Sequence, residues 1–228
     1  MIEWTMKLTI SDIRYIARIT RHPFCGFLVY QLIRGYNGIA RGKLLLTRTI
    51  SPGSFHPSAS IHPSAVLSNR EVRIFPEVTI GEGVIIRRRT TIGTGSRIEK
   101  NCVIGETGFQ VFKWRKQRIL MVHTGSVSIG DRVTIGEGTC IDRALFGKIT
   151  DIQSDTRVGA NVKIGHNITI GRGGHIDNDV AIGGNSIIGD RVFIGSGVSI
   201  ANRIFIAPGS SIPAGRIVTR DIRTEESS

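Results

Sequence analysis

Residues 152–218 read IQSDTR-VGANVK-IGHNIT-IGRGGH-IDNDVA-IGGNSI-IGDRVF-IGSGVS-IANRIF-IAPGSS-IPAGRI-V when they are divided into groups of six. Every group begins with Ile or Val. A period of six fits neither the period of about 3.6 of an amphipathic helix nor the period of about 2 of a half-buried strand. It is typical of short strands and turns that stack into a parallel β-helix, in which each repeat buries its apolar side chains against its neighbours. With three strands to a coil, three groups of six make one turn.

The same repeat extends upstream and is interrupted once. It begins near Ile61 and Leu67, slips by one residue to Ile74, and then holds as far as Ile104. It resumes at Ile129 and shortens by one residue between Ile141 and Ile152. The chain is therefore predicted to be mainly β. We expect these parts: an N-terminal helical block at residues 1–50, a parallel β-helix at 51–218 with a projecting loop inserted at 105–128, and a polar tail at 219–228.

Composition and charge restrict the partners. The chain has 28 Gly but only 9 Phe, 3 Tyr and 2 Trp, which suits a thin core of Ile and Val. Its formal net charge is +12, so anionic partners are favoured, such as nucleotides, carrier phosphopantetheine, acidic proteins, lipid headgroups or nucleic acid. Charge alone does not select among them.

The cysteines and the apolar pattern indicate a cytoplasmic protein. Cys25, Cys102 and Cys140 form neither a CxxC pair nor an even framework, which favours a reducing compartment. No apolar run reaches the roughly 20 residues of a membrane span. Residues 1–9 lack the layout of a signal peptide.

Residues 1–50 do not follow the six-residue repeat and carry many cations: Arg14, Arg18, Arg21, Arg34, Arg41 and Lys43. One interpretation is a basic surface for an acidic partner or for peripheral contact with a membrane. The other is a helical cap that packs on the first coil and protects its edge.

The insertion at 105–128 is long for a compact fold, and loops of this length are commonly functional. It mixes the aromatic residues Phe109, Phe112 and Trp114 with the cations Lys113 and Arg115. Such a mixture suits a base, a phosphate or an acyl chain. It also suits an arm that packs on a neighbouring subunit. Both roles are compatible, because a subunit boundary is a common place for a small-molecule site.

One of the six histidines has the position of a catalytic residue. His166 lies two residues after Ile164, at a corner of the regular stack, where Gly165 allows a close approach of backbone. A neutral imidazole there can act as a general base, since its pKa is near working pH. A surface histidine in a turn fits the same pattern.

Other kinds of chemistry have less support. A zinc site of three histidines needs imidazoles on one face, whereas His166 and His175 are half a coil apart, and the phase of His123 in the insertion is not readable. No bound metal or cofactor is therefore expected. The basic runs are short and lie in no nucleic-acid recognition motif, and no phosphate-binding or dinucleotide-binding glycine motif occurs.

Several motifs together resemble a known family. The chain contains Gly105-Glu106-Thr107-Gly108-Phe109, Ile129-Gly130-Asp131-Arg132-Val133, Thr139-Cys140-Ile141-Asp142-Arg143 and Ile164-Gly165-His166-Asn167. Their order and spacing are similar to those of the UDP-3-O-acylglucosamine N-acyltransferases of lipid A biosynthesis. The resemblance covers roughly residues 60–215.

The resemblance implies a fold and a reaction. That family forms homotrimers of left-handed parallel β-helices, with active sites between subunits. Transfer of an acyl group from a carrier thioester to a sugar amine is implied, with His166 as base and backbone N–H groups holding the oxyanion. The implied substrate-binding residues are Gly108 and Phe109 beside the acyl groove, Asp142 and Arg143 near the seam, and Asn167, Asn202 and Arg203.

The sequence departs from the family at three places. Residues 1–50 do not correspond to the family's uridine-binding domain, Gly159 replaces an acidic residue seven positions before the catalytic histidine, and Arg203 falls at a second family histidine. A related N-acyltransferase, acting on a nucleotide-linked amino sugar for surface polysaccharide, fits as well as one that makes lipopolysaccharide. The donor is a thioester of either acyl carrier protein or coenzyme A.

Two alternatives remain. One is a noncatalytic basic solenoid that binds a membrane or an acidic protein. The other is a zinc-dependent enzyme of the carbonic anhydrase type with the same repeats.

Overall fold

The computed structural model describes residues 31–35, 37, 53–68 and 70–223. Most of the predicted N-terminal helical block lies outside the described residues. Residues 31–35 and 37 are helical. The part of the chain described here has no helix long and apolar enough to cross a membrane.

The described residues form a left-handed parallel β-helix with three sheets, each of eight strands. Sheet 1 contains β1 (Ser54–Phe55), β4 (Val72–Ile74), β7 (Thr90–Ile92), β12 (Ser126–Ile129), β15 (Ile149–Ile152), β18 (Thr169–Ile170), β21 (Ile187–Ile188) and β24 (Phe205–Ile206).

Sheet 2 contains β2 (Ser60–Ile61), β5 (Thr79–Ile80), β8 (Arg97–Ile98), β13 (Thr134–Ile135), β16 (Arg157–Val158), β19 (His175–Ile176), β22 (Phe193–Ile194) and β25 (Ser211–Ile212). Sheet 3 contains β3 (Val66–Leu67), β6 (Ile85–Ile86), β9 (Val103–Glu106), β14 (Cys140–Asp142), β17 (Lys163–Ile164), β20 (Ala181–Ile182), β23 (Ser199–Ile200) and β26 (Ile217–Val218).

The six-residue repeat sets the register of the strands. Ile164 pairs with Ile182, and Ile182 with Ile200, so from Ile152 onward each anchor lies on the anchor eighteen residues away. From Ile74 onward the anchors are buried, and they form one apolar column inside the coil. Branched side chains suit such a column, because they pack well against identical neighbours on a pleated surface. The predicted parallel β-helix with three groups of six per turn is confirmed.

The insertion forms an antiparallel hairpin of β10 (Val111–Trp114) and β11 (Gln117–Leu120), separate from the three sheets. We call residues 107–125 the arm, because the ends of the predicted insertion, 105–106 and 126–128, belong to β9 and β12. The Asn37 side chain holds the arm at two points. Its Nδ2 donates to the Leu120 carbonyl at 3.0 Å, and its Oδ1 accepts from the Val122 N–H at 3.2 Å.

The structure departs from a regular six-residue repeat at two places. Beside Ile141, where the spacing shortens, the pairing of β9 with β14 shifts register: Ile141 pairs with Ile104 and Asp142 with Glu106, so Gly105 of β9 is the extra residue of a bulge. In the predicted tail, Ile222 forms a parallel bridge with Ile206 and packs against the core, so part of the segment after Val218 joins the coil. Bulges redirect side chains, and this one lies beside the cleft described next.

Candidate functional site

A cleft of about 400 Å³ lies along sheet 3, between the arm and successive coils. Its lining residues come from the start of the arm and from the ends of four strands: Phe109, Gln110, Cys140, Asp142, Lys163, Ile164, Gly165, His166, Ala181, Ile182, Gly183, Gly184, Ile200 and Asn202. The side chains of Ile164, Ile182 and Ile200 are buried inside the coil, so the strands of sheet 3 and the outward-facing Ala181 form the base of the cleft. Polar groups surround this base, as is typical of small-molecule sites.

His166 lies at the corner that follows β17, and only 5% of it is exposed. Two glycines make this position possible. A β-carbon at Gly165 would lie 2.9 Å from the Gly184 nitrogen, so the next coil approaches where a side chain is missing. A β-carbon at Gly184 would lie 2.7 Å from Cε1 of His166, so the imidazole packs directly on the Gly184 backbone.

A chain of hydrogen bonds fixes which nitrogen of His166 accepts. The Leu145 N–H donates to Asn167 Oδ1 at 2.7 Å, and Asn167 Nδ2 donates to Asn185 Oδ1 at 3.0 Å. Asn185 Nδ2 then lies 3.2 Å from His166 Nε2. Because a backbone N–H can only donate, the orientation of both amides follows from Leu145. His166 Nε2 is therefore the acceptor, and the proton of the neutral ring is on Nδ1.

The electrostatic surroundings keep the His166 ring neutral. Burial lowers its pKa to about 4, and the nearby His123 and Arg203 act in the same direction. At neutral pH the Nε2 lone pair is therefore unprotonated. Among the described residues, only Asn185 bonds to Nε2, and this hydrogen bond is long enough for a substrate group to replace it.

His123, at the end of the arm, lies against His166. The two ring centroids are 5.2 Å apart, and the planes make an angle of 77°. Only 3% of His123 is exposed, and neither of its ring nitrogens has a hydrogen-bond partner among the described residues. The Met121 backbone favours a proton on the ring without reaching hydrogen-bond geometry, but burial dominates and lowers the His123 pKa.

Gly108 and Asp142 lie together beside His123. A β-carbon at Gly108 would collide with Asp142 Oδ2 and would lie 3.0 Å from His123 Nε2. The missing side chain therefore lets the carboxyl group and the imidazole approach the same point. Burial raises the Asp142 pKa to about 6, and the carboxylate of Glu106 adds to this effect.

Arg143 lies behind the cleft, not in its lining. Its Nε donates to the Gly105 carbonyl at 2.8 Å, and its N–H donates to the Glu106 carbonyl at 2.9 Å. Burial lowers the Arg143 pKa to about 10, and Arg88 contributes to the same shift. The Arg143 side chain therefore supports the backbone from which the arm begins.

The other residues predicted from the sequence lie in different surroundings. Phe109 is 83% exposed at the edge of the cleft, and Asn202 lines the cleft one coil beyond Gly183. The Asn167 side chain is engaged by Leu145 and Asn185, so it reaches His166 through another residue. Arg203 is exposed beside Asn202, and its charge acts on His166.

Sequence reasoning missed His123, Asn185, Gly184 and Lys163. Gly184 had a visible signal, because the doublet Gly183-Gly184 lies eighteen residues after Gly165-His166, which is one coil. His175, in contrast, is exposed on β19 in another sheet, where it stacks on Phe193. Among the described residues, no group of three or more His, Cys, Asp or Glu side chains is arranged to hold a metal ion.

The β-helix and its histidine cleft define a class of hexapeptide-repeat protein, and comparison with known proteins narrows it. No protein-family model matches the chain. The chain is 44% identical over 92 residues to UDP-3-O-acylglucosamine N-acyltransferase 1 of Francisella tularensis, covering 40% of this chain and 26% of the relative. It is also 44% identical over 81 residues to the UDP-3-O-acylglucosamine N-acyltransferase of Methylococcus capsulatus, covering 35% and 23%.

A solved structure of similar type is the UDP-N-acetylglucosamine O-acyltransferase of Moraxella catarrhalis. It is 24% identical with a TM-score of 0.47, and the match covers 73% of this chain and 67% of that one. The chain spans about a quarter of the length of the curated relatives it matches. The sequence matches confirm the resemblance to UDP-3-O-acylglucosamine N-acyltransferases over the 92 and 81 residues that align.

Proposed function

We propose that this chain is an N-acyltransferase that moves an acyl group from a carrier thioester to the amine of a nucleotide-linked amino sugar. The observation that carries the proposal is the neutral, buried His166 in the cleft, with its Nε2 lone pair held by one long hydrogen bond. The similarity to UDP-3-O-acylglucosamine N-acyltransferases supports the substrate class. The sugar product would serve the synthesis of lipid A or of another surface glycolipid or polysaccharide.

The proposed reaction follows from this geometry. The amine nitrogen attacks the thioester carbonyl carbon, and the carbonyl electrons move to oxygen. His166 Nε2 takes a proton from the attacking nitrogen, in place of its contact with Asn185. The tetrahedral intermediate then collapses to the amide, the C–S bond breaks, and the imidazolium returns its proton to the thiolate. In this proposal the Gly184 N–H stabilises the oxyanion, because the N–H groups of Gly183 and Asn185 already donate to the Ile200 and His166 carbonyls.

The cleft offers groups for both substrates. The exposed ring of Phe109 and the outward-facing Ala181 supply apolar surface for an acyl chain, whereas the side chains of Ile164, Ile182 and Ile200 are buried inside the coil. Lys163 supplies a positive charge for a phosphate of the nucleotide or of the thioester carrier. The acyl donor is acyl carrier protein or coenzyme A. A homotrimer, in which a neighbouring subunit closes the open side of the cleft, is part of the proposal.

The test is the release of free thiol from an acyl thioester in the presence of a nucleotide-linked amino sugar. His166→Ala is compared with the matched variant His175→Ala, which removes an exposed imidazole. General-base catalysis contributes on the order of 10²- to 10⁴-fold, so His166→Ala should lose activity by that factor, whereas His175→Ala should not.

Both variants should retain the thermal unfolding and the size in solution of the wild type. Equal turnover by His166→Ala and the wild type would contradict the base assignment. A folded wild-type protein that transfers acyl groups from neither donor to any amino sugar, yet binds acidic protein or lipid, would instead favour the noncatalytic solenoid.

A further inference from the structure

We propose that His123 is a positioning residue: the arm places its imidazole against His166 so that the base is held in a productive orientation. This inference deepens the proposed function and rests on His166 being the base. It assigns the arm a part in the chemistry, in addition to forming one wall of the cleft.

The first argument comes from the contacts of the His166 ring. The Gly184 backbone packs closely on the ring, and Asn185 binds its Nε2 through a hydrogen bond of 3.2 Å. That length is at the upper end of the usual range for a hydrogen bond. The edge-on contact with His123, with centroids 5.2 Å apart, adds a third contact that restricts the ring plane.

The second argument comes from the chemical identity of residue 123. Filling the space beneath the arm needs only an apolar side chain. An imidazole with both nitrogens buried and unpartnered makes the fold less stable than a phenyl ring of similar size would. Such a cost in a native structure calls for an explanation, and a role at a reaction centre is one of the few available.

The third argument comes from the charges that face His123. Burial and the charge of Arg143, from the end of β14, lower the pKa of His123. Across Gly108, the Asp142 carboxyl group approaches Nε2 of the same ring. His123 in turn adds to the effect of burial in lowering the pKa of His166, from a position between a carboxyl group and the base. It therefore favours the neutral form of His166, which is the form that takes the proton of the amine.

The test uses His123→Phe, which retains the ring shape and removes both nitrogens. His166 is followed by NMR titration of its Cε1–H signal in protein with ¹³C-labelled histidine, so the readout does not depend on substrate. The His166 pKa should rise in His123→Phe, because a repelling group is lost while burial is retained. An unchanged titration would overturn the inference.

Activity provides the second readout. His123→Phe should have the thermal stability of the wild type or better, a kcat at least 10-fold lower, and a KM within about 2-fold of the wild type. His123→Asn retains a polar group in the side chain, so its kcat should lie between those of His123→Phe and the wild type. A wild-type kcat in His123→Phe would show that His123 only packs. The same conclusion would follow if both variants lost kcat equally and only in proportion to the fraction of unfolded protein.

Measuring His166→Ala in the same assay separates the two claims. If His166→Ala is inactive and His123→Phe is fully active, the positioning role fails and the proposed base stands. If His166→Ala is fully active, the proposed base fails. Should His123→Phe not fold, His123→Asn replaces it in the same NMR titration, and the His166 pKa should again rise; no change would count against the inference.

Discussion

Replacing Gly184 with Ala tests how closely the imidazole of His166 must be positioned. The added β-carbon would lie 2.7 Å from Cε1, 2.8 Å from Nε2 and 3.0 Å from Nδ1 of the ring. Nonbonded carbon atoms are normally separated by at least about 3.5 Å, so the ring must move by somewhat less than 1 Å. Gly184 does not have a positive φ, so alanine suits its backbone conformation.

A displacement of about 1 Å in a catalytic group costs on the order of 100-fold in rate. We therefore expect Gly184→Ala to lower kcat/KM by roughly 10- to 100-fold. The fold should be retained, because alanine also reduces the conformational entropy of the unfolded chain, an effect worth about 0.4–1 kcal/mol.

The assay combines thiol release with thermal unfolding. The control is Gly174→Ala, where the added carbon would meet Ile170 Cγ2 at 3.2 Å and no cleft residue. Gly174→Ala should retain wild-type kcat/KM. Wild-type kcat/KM in a folded Gly184→Ala protein would refute the reasoning, because the reaction would then not depend on where this ring lies.

Three further predictions follow from the same contacts. Asn185→Asp places a carboxylate oxygen at His166 Nε2, so the His166 pKa should rise and kcat/KM at pH 7 should fall, whereas the exposed corner variant Asn161→Asp should be unaffected. Between pH 6.5 and 4 the unfolded chain protonates His166 while the native chain does not, so the free energy of unfolding should fall by roughly 3 kcal/mol as the pH falls through this range. This loss should be absent from His166→Asn in urea titrations at several pH values, and an equal loss in both proteins would contradict the shift. Ile135→Ala, within the apolar column, should lower the free energy of unfolding by about 2–5 kcal/mol in the same titrations, and a loss below 1 kcal/mol would contradict close packing there.

The fold could be predicted because every coil repeats the same physical constraint. Ile164 and Ile182 must occupy equivalent positions if both are to be buried, so their spacing defines the register without knowledge of distant contacts. The corner at His166 could be predicted for the same reason. Cys102 lies two residues before Ile104, as Val162 lies two before Ile164, and both side chains are buried.

The position of His123 could not be predicted, because the arm does not follow the repeat. Its placement depends on contacts between residues distant in sequence, such as that between Asn37 and Leu120. Asn185 also has no distinguishing local signal. Asparagine is common at corners with positive φ, and only the coil spacing of 19 residues from His166 brings the two side chains together.

Arg143 shows the limit of carrying a role from a motif to a structure. The motif Ile141-Asp142-Arg143 places both polar residues near the expected site, but their surroundings differ beside the register shift between β9 and β14. Asp142 faces the cleft, whereas Arg143 is buried and bonded to the Gly105 carbonyl. A sequence pattern does not reveal this difference, because it arises from the local backbone geometry.

The most direct measurement is mass spectrometry of the product formed by the purified chain from an acyl thioester and a panel of nucleotide-linked amino sugars. The proposed function predicts a product heavier by one acyl group and resistant to hydroxylamine, as an amide is, with no such product from His166→Ala. A hydroxylamine-labile ester, or an amide formed equally by His166→Ala, would contradict it.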